Sequence, residues 1–138
     1  MCLSTVWSKK KMDAFLAEKP ERFTAYKVMR KYRTQCGPPY NHRDYRFRVG
    51  LNHIAEPRST LCLWRFRTSL KYTAGYHCFV DKRAAQKWRA GVRWQGSSKV
   101  IVPCKVKREW VETMGLQEGH VVIVAHTIDC PASVGGKE

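Results

Sequence analysis

Carboxylates are scarce in this sequence. Eleven acidic residues stand against 26 Lys and Arg in a chain of 138 residues, for a formal net charge of +15. No pair among them has a spacing that argues for acid–base work: Glu109, Glu112 and Glu118 lie late in the chain, and Asp44 and Glu56 in loop-like stretches. Long apolar runs are missing too. Nothing approaches the roughly 20 residues of a membrane-spanning helix. Met1 to Trp7 is short and runs directly into Lys9, Lys10 and Lys11, which is not the order of a signal peptide. There is no CxxC pair, no GxxxxGK(S/T) phosphate loop, no GxGxxG, no HExxH and no GxSxG. Internal repeats and low-complexity tracts are also lacking. These absences remove the familiar motif-borne routes to nucleotide hydrolysis, zinc proteolysis and serine esterase chemistry.

What remains is a basic chain of single-domain length. At 16.1 kDa and 43% hydrophobic residues it has material for a core without disulfides or a metal. We expect one domain over residues 1–130 and a flexible C-terminal tail over 131–138. The six cysteines, Cys2, Cys36, Cys62, Cys78, Cys104 and Cys130, lie far apart, several within apolar strand-like runs. That is the pattern of buried free thiols in a reducing cytoplasm. No metal and no cofactor are expected.

Local patterns predict an α+β fold: a mostly antiparallel sheet of about five to six strands with two or three short helices. Ser8 caps a helix over Lys9 to Ala17, with Met12, Phe15 and Leu16 on one face, and Pro20 ends it. Asp81 caps a second helix from Lys82 to about Ala90, with Gly91 as its stop. A third short helix is expected over Arg108 to Met114, with Gly115 beyond it. Strands are expected at Cys2 to Trp7, Phe23 to Lys31, Tyr45 to Val49, Leu61 to Arg67, Tyr76 to Val80, Val100 to Val106 and His120 to Thr127, the last nearly continuous in apolar residues and so central. Cys36 to Pro39, Gly50 to Ser59 and Gly96 to Ser98 read as loops or turns.

Three of these strands place basic residues two apart, hence on one face: Arg46 with Arg48, Arg65 with Arg67, and Lys105 with Lys107. Ordinary solvent faces mix signs. A surface of Arg forks and Lys suits a phosphate backbone. Lys9, Lys10 and Lys11 oppose the dipole of the first helix and add to the same reading. Trp64, Phe66, Trp88 and Trp110 fall on apolar sides and read as core. Tyr32, Tyr40 and Trp94, beside Arg33, Arg43 and Arg93, are candidates for stacking on bases.

Two residues are candidates for chemistry. His77, in Gly75-Tyr76-His77-Cys78-Phe79, could act as acid, base or donor, although its neighbour Cys78 faces the other way along a strand. Cys2 would become an N-terminal thiol on removal of the initiator Met, with the free amine as its own base.

The Met1-Cys2-Leu3-Ser4-Thr5 opening recurs in order with Tyr26-Lys27-Val28, Arg48-Val49-Gly50, the Gly75 to Phe79 stretch and Val102-Pro103-Cys104-Lys105-Val106. This set resembles small uncharacterised proteins of phages and bacteria, whose strand order is similar to the ADP-ribosyltransferase-like fold. The resemblance implies an NAD-holding role for His77. Transferases of that fold carry a late catalytic Glu; no Glu lies within His120 to Thr127, and Glu118 only precedes it.

The expected function is therefore a small basic module contacting nucleic acid, or another polyanion, through Arg46, Arg48, Arg65, Arg67, Lys105, Lys107 and Lys9 to Lys11. One alternative is an ADP-ribosyltransferase-like enzyme or binder of an NAD-derived nucleotide. Another is a phage-type interaction factor for an acidic host protein.

Overall fold

The computed structural model describes residues 3–32, 35–37, 46–53, 59–63, 69–73, 75–91 and 98–135. In chain order the elements are β1 (Thr5–Val6), α1 (Lys9–Ala17), β2 (Arg22–Tyr32), β3 (Gln35–Gly37), β4 (Gly50–His53), β5 (Ser59–Leu63), β6 (Ser69–Thr73), β7 (Tyr76–Phe79), α2 (Lys82–Gly91), β8 (Ser98–Lys107), β9 (Val111–Gln117), β10 (His120–Ala125) and β11 (Thr127–Cys130). Short 3-10 turns lie at Arg108–Trp110 and Ala132–Val134.

The spine is the β2–β8 ladder, antiparallel and in register from Arg22 opposite Lys107 to Lys31 opposite Ser98. Around it runs a nine-stranded sheet in the order β1-β9-β10-β7-β2-β8-β11-β4, with β3 on the far half of β2. β5 and β6 form a separate two-stranded ribbon. Every pairing among the described residues is antiparallel. The α+β class and the antiparallel sheet are as expected, but the strands outnumber the five to six that the sequence suggested.

The sheet order carries a geometric constraint. β10 and β11 are separated in the sheet by β7, β2 and β8, yet only His126 joins them in sequence. Four flat inter-strand gaps would span roughly 19 Å. Two Cα steps cover at most about 7.6 Å. The sheet must therefore curl until its β10 and β11 flanks meet, with one bent strand serving both. Inside the curl lie Ala25, Met29, Cys36, Phe47, Cys78, Cys104, Ile123, Ala125, Ile128 and Cys130, closed on one side by Leu16, Met12 and Phe15 of α1. On the opposite face α2 lays Ala84, Ala85 and Trp88 among Val28, Phe79, Val122 and Val124. Cys36, Cys78, Cys104 and Cys130 are all buried free thiols.

Several local expectations change. Arg108 to Met114 is not a helix. One 3-10 turn gives way to β9, and Gly115 lies inside a strand pressed against β1, where a Cβ would meet the Thr5 carbonyl oxygen at 1.9 Å. Tyr45 to Val49 forms no strand within its described part. The strand lies at Gly50–His53, where a loop was expected, paired with β11. Cys36 and Gly37 belong to β3 instead of a loop, and Ser98 opens β8. His120 to Thr127 is broken at His126. Residues 131–135, assigned to the tail, lie against the core, with Val134 fully buried. Among the described residues no helix is long and apolar enough to cross a membrane.

Candidate functional site

Burial disposes of the first chemical candidate. His77 is 8% exposed. Its Nδ1 lies 3.1 Å from the Gly75 carbonyl oxygen and its Nε2 lies 2.8 Å from the Tyr72 hydroxyl. The Tyr72 oxygen in turn accepts from the Leu3 amide at 3.1 Å. Burial, then the nearby Lys27 ammonium, push the His77 pKa down to about 3. This imidazole is neutral and fully bonded at neutral pH, a structural group. Cys78 is equally unreactive, its thiol pushed up to about 11 by burial. Cys2 lies outside the described residues.

The basic candidates divide. Lys105 and Lys107 project from one face of β8, the first exposed and the second half-buried, as expected. Lys105 Nζ donates to Thr24 Oγ1 at 2.7 Å, and Lys107 Nζ lies 4.0 Å from Glu109 and over the Trp110 ring. Arg46 and Arg48 flank the buried Phe47 outside any strand. The Asn52 side chain grips the Arg48 backbone there, accepting from its N–H at 3.0 Å and donating to its oxygen at 2.8 Å. Arg65 and Arg67 lie outside the described residues, as do Arg33, Tyr40, Arg43, Trp64, Phe66, Arg93 and Trp94. Lys9, Lys10 and Lys11 are exposed in the first turn of α1, which Ser8 caps through its hydroxyl to the Lys11 amide. They sit on the face opposite α2, so they do not join Lys105 and Lys107.

A set of cations not singled out in the sequence does join them. Residues paired across β2 and β8 share a face, so Arg22, Thr24, Lys105 and Lys107 lie on the same side as Val28 and Ile101, the side that α2 covers. α2 presents Lys82, Arg83, Lys87 and Arg89 outward, all exposed, with no acidic residue within the helix. The carboxylate at its start, Asp81, accepts from the Arg83 amide at 3.1 Å. Lys99 and Arg30 are cross-strand partners at the far end of the same face. Burial first, and then Arg30, lower the Lys99 pKa. Carboxylates interrupt the face: Asp129 pairs with Arg22, and Glu109 approaches Lys107. The signal for α2 is present in the sequence, in KRAAQKWRAG, but its cations recur at helical spacing and not at the two-residue spacing of a strand face.

The same side of the sheet carries two histidines, on β4 and at the β10–β11 bend, that the sequence patterns did not mark. His53 Nδ1 and His126 Nδ1 lie 2.6 and 2.7 Å from one atom, Thr127 Oγ1. The rings are 5.6 Å apart and nearly perpendicular. Glu112 Oε1 lies 3.7 Å from His126 Nε2. His53 is exposed, whereas Thr127 is buried beneath the pair. No local signal could have joined residues 74 positions apart. Among the described residues no group of three or more metal-ligating side chains is arranged to hold an ion.

Comparison with protein-family models, with curated proteins and with solved structures finds no match in any of the three.

Proposed function

We propose that this protein binds nucleic acid through the face made by α2 and the uncovered end of β2 and β8. The observation that carries the reading is the outward set Lys82, Arg83, Lys87 and Arg89, four exposed cations on one short helix without an acidic residue. Solvated helices ordinarily intersperse both signs. Here local charge repels itself, and a polyanion relieves it. Lys105, on the same side of the sheet, extends the cationic surface beyond the helix. Arg is suited to forked contacts with phosphate and Lys to point-charge contacts.

Fluorescence anisotropy with an arbitrary single-stranded RNA and its DNA counterpart tests this. Binding is expected at about 50 mM salt, with affinity falling about 10³-fold or more by 200 mM if six or more phosphates are met. Reversing Lys87 and Arg89 to Glu together should weaken binding at least tenfold and flatten the salt slope. No binding of either strand at about 50 mM salt would remove the reading, since phosphate contacts are strongest there.

A further inference from the structure

We infer that His53 and His126 form an acid–base pair that cleaves RNA, an inference that rests on the nucleic-acid reading above and names the substrate class. The geometry begins with the shared hydroxyl. Thr127 Oγ1 has one proton and lies within hydrogen-bond distance of two imidazole Nδ1 atoms. It can donate to only one of them, so a neutral partner ring must donate back. The two neutral rings are thereby held in opposite tautomers. One presents a bare Nε2, a base; the other carries its proton on Nε2, an acid.

Glu112 decides which is which. Its carboxylate lies on the Nε2 side of His126, at 3.7 Å, and favours a proton there. His126 Nδ1 then accepts from Thr127, and Thr127 accepts from His53 Nδ1–H. This leaves His53 Nε2 as the bare nitrogen on an exposed side chain. Thr127 and Asp129 share a face of β11, and Asp129 is the cross-strand partner of Lys105. Lys105, Lys107 and Arg22 therefore lie on the side of the sheet where the histidines meet.

This constellation matches the needs of RNA transesterification. His53 Nε2 takes the proton of a ribose 2′-hydroxyl. The 2′-oxygen bonds to the adjacent phosphorus, and the bond from phosphorus to the 5′-oxygen breaks. His126 gives its Nε2 proton to that departing oxygen while the His53 Nδ1 proton passes to Thr127 Oγ1 and the Thr127 proton passes to His126 Nδ1, so both rings end neutral with their tautomers exchanged. The products are a 2′,3′-cyclic phosphate and a free 5′-hydroxyl, and no water, metal or oxidant enters the balance. The cations on the same face offset charge on the non-bridging oxygens. DNA lacks the attacking hydroxyl and is bound without being cut.

The test incubates the full chain with a labelled single-stranded RNA and its DNA counterpart in the presence of a chelator, following binding and cleavage separately. RNA cleavage ending in 2′,3′-cyclic phosphate is expected, with the DNA intact. His53→Gln and His126→Gln should each lower the cleavage rate about 10²-fold or more, the usual worth of a general acid or base, with RNA affinity within threefold of the parent. Thr127→Val should lower the rate and Thr127→Ser should restore it, because only the hydroxyl sets the tautomers; thermal unfolding shows that each variant is folded. RNA bound but uncut by the parent protein overturns this inference and leaves the binding reading standing. Cleavage unchanged in both histidine variants overturns it as well. Failure to bind either strand overturns both.

Discussion

The Tyr72 hydroxyl and His77 Nε2 lie 2.8 Å apart inside the core, and their tautomers follow from their other partners. The Gly75 carbonyl can only accept, so His77 Nδ1 carries the proton. Nε2 is then an acceptor, and Tyr72 donates to it. The Tyr72 oxygen remains free to accept from the Leu3 amide, which ties the start of the chain to the β6–β7 corner. Tyr72→Phe removes one oxygen and with it the hydrogen bonds that this oxygen makes to the Leu3 amide and to His77 Nε2 inside the core. A loss of about 2–4 kcal/mol is expected, read from urea unfolding midpoints at unchanged slope.

Acid should act through the same pair. His77 titrates near its ordinary value when unfolded and at about 3 when folded. Between these values the unfolded chain binds the extra proton, so stability is complete above about 6.5 and falls as pH drops toward 3. At pH 5 the loss from this group is about 2 kcal/mol. Comparing unfolding midpoints of the parent and His77→Gln at pH 7 and pH 5 isolates it. The parent should lose more than the variant; equal losses would contradict the assignment.

Lys27 invites the opposite kind of change. It is 5% exposed, donates to the His77 carbonyl oxygen at 2.9 Å, and lies over the rings of Phe47 and Tyr76. Among the described residues no carboxylate pairs with it. A buried cation without a counter-ion is costly. Lys27→Met keeps the length of the side chain and removes the charge, and should raise the thermal midpoint by several degrees. A lowered midpoint would mean that the single hydrogen bond outweighs desolvation.

Two glycines separate steric from backbone need. At Gly115 a Cβ would lie 1.9 Å from the Thr5 oxygen, so Gly115→Ala must push β1 off β9. At Gly119, with φ of +83°, nothing lies within 4 Å of a Cβ. Gly119→Ala therefore meets only the left-handed backbone cost, about 1–2 kcal/mol. Gly115→Ala should cost more, and hydrogen exchange should show faster exchange at Ser4 and Trp7, whose amides bond to β9.

Where signals were local, the sequence was readable. Ser8 and the spacing of Met12, Phe15 and Leu16 marked α1 to its ends, and Asp81 with Gly91 marked α2. The alternation of Val102, Cys104 and Val106 against Lys105 and Lys107 marked β8 and its faces. Where a strand depends on a distant partner, the reading failed. Around Phe47 the alternation of burial is real, but the ladder forms further on, at Gly50–His53, because that is where β11 passes. Trp110, Val111 and Met114 fit a helical spacing as well as a strand, and β10 decides the matter. The histidine pair was illegible for the same reason: His126 and Thr127 are neighbours in sequence, but His53 reaches them only through β4 against β11.

The bend at His126 also bears on how the chain can be built. β1 waits for β9, β2 for β8, β4 for β11 and β7 for β10, so four of the early strands are completed by one from the last third. During synthesis the first ninety or so residues can form only the β2–β3, β2–β7 and β5–β6 pairings, and the long edge of β2 that β8 covers stays open. Ordering should come late and all at once, when the final bent segment leaves the ribosome, and a chain stopped before it should be a substrate for chaperones instead of a partly folded product.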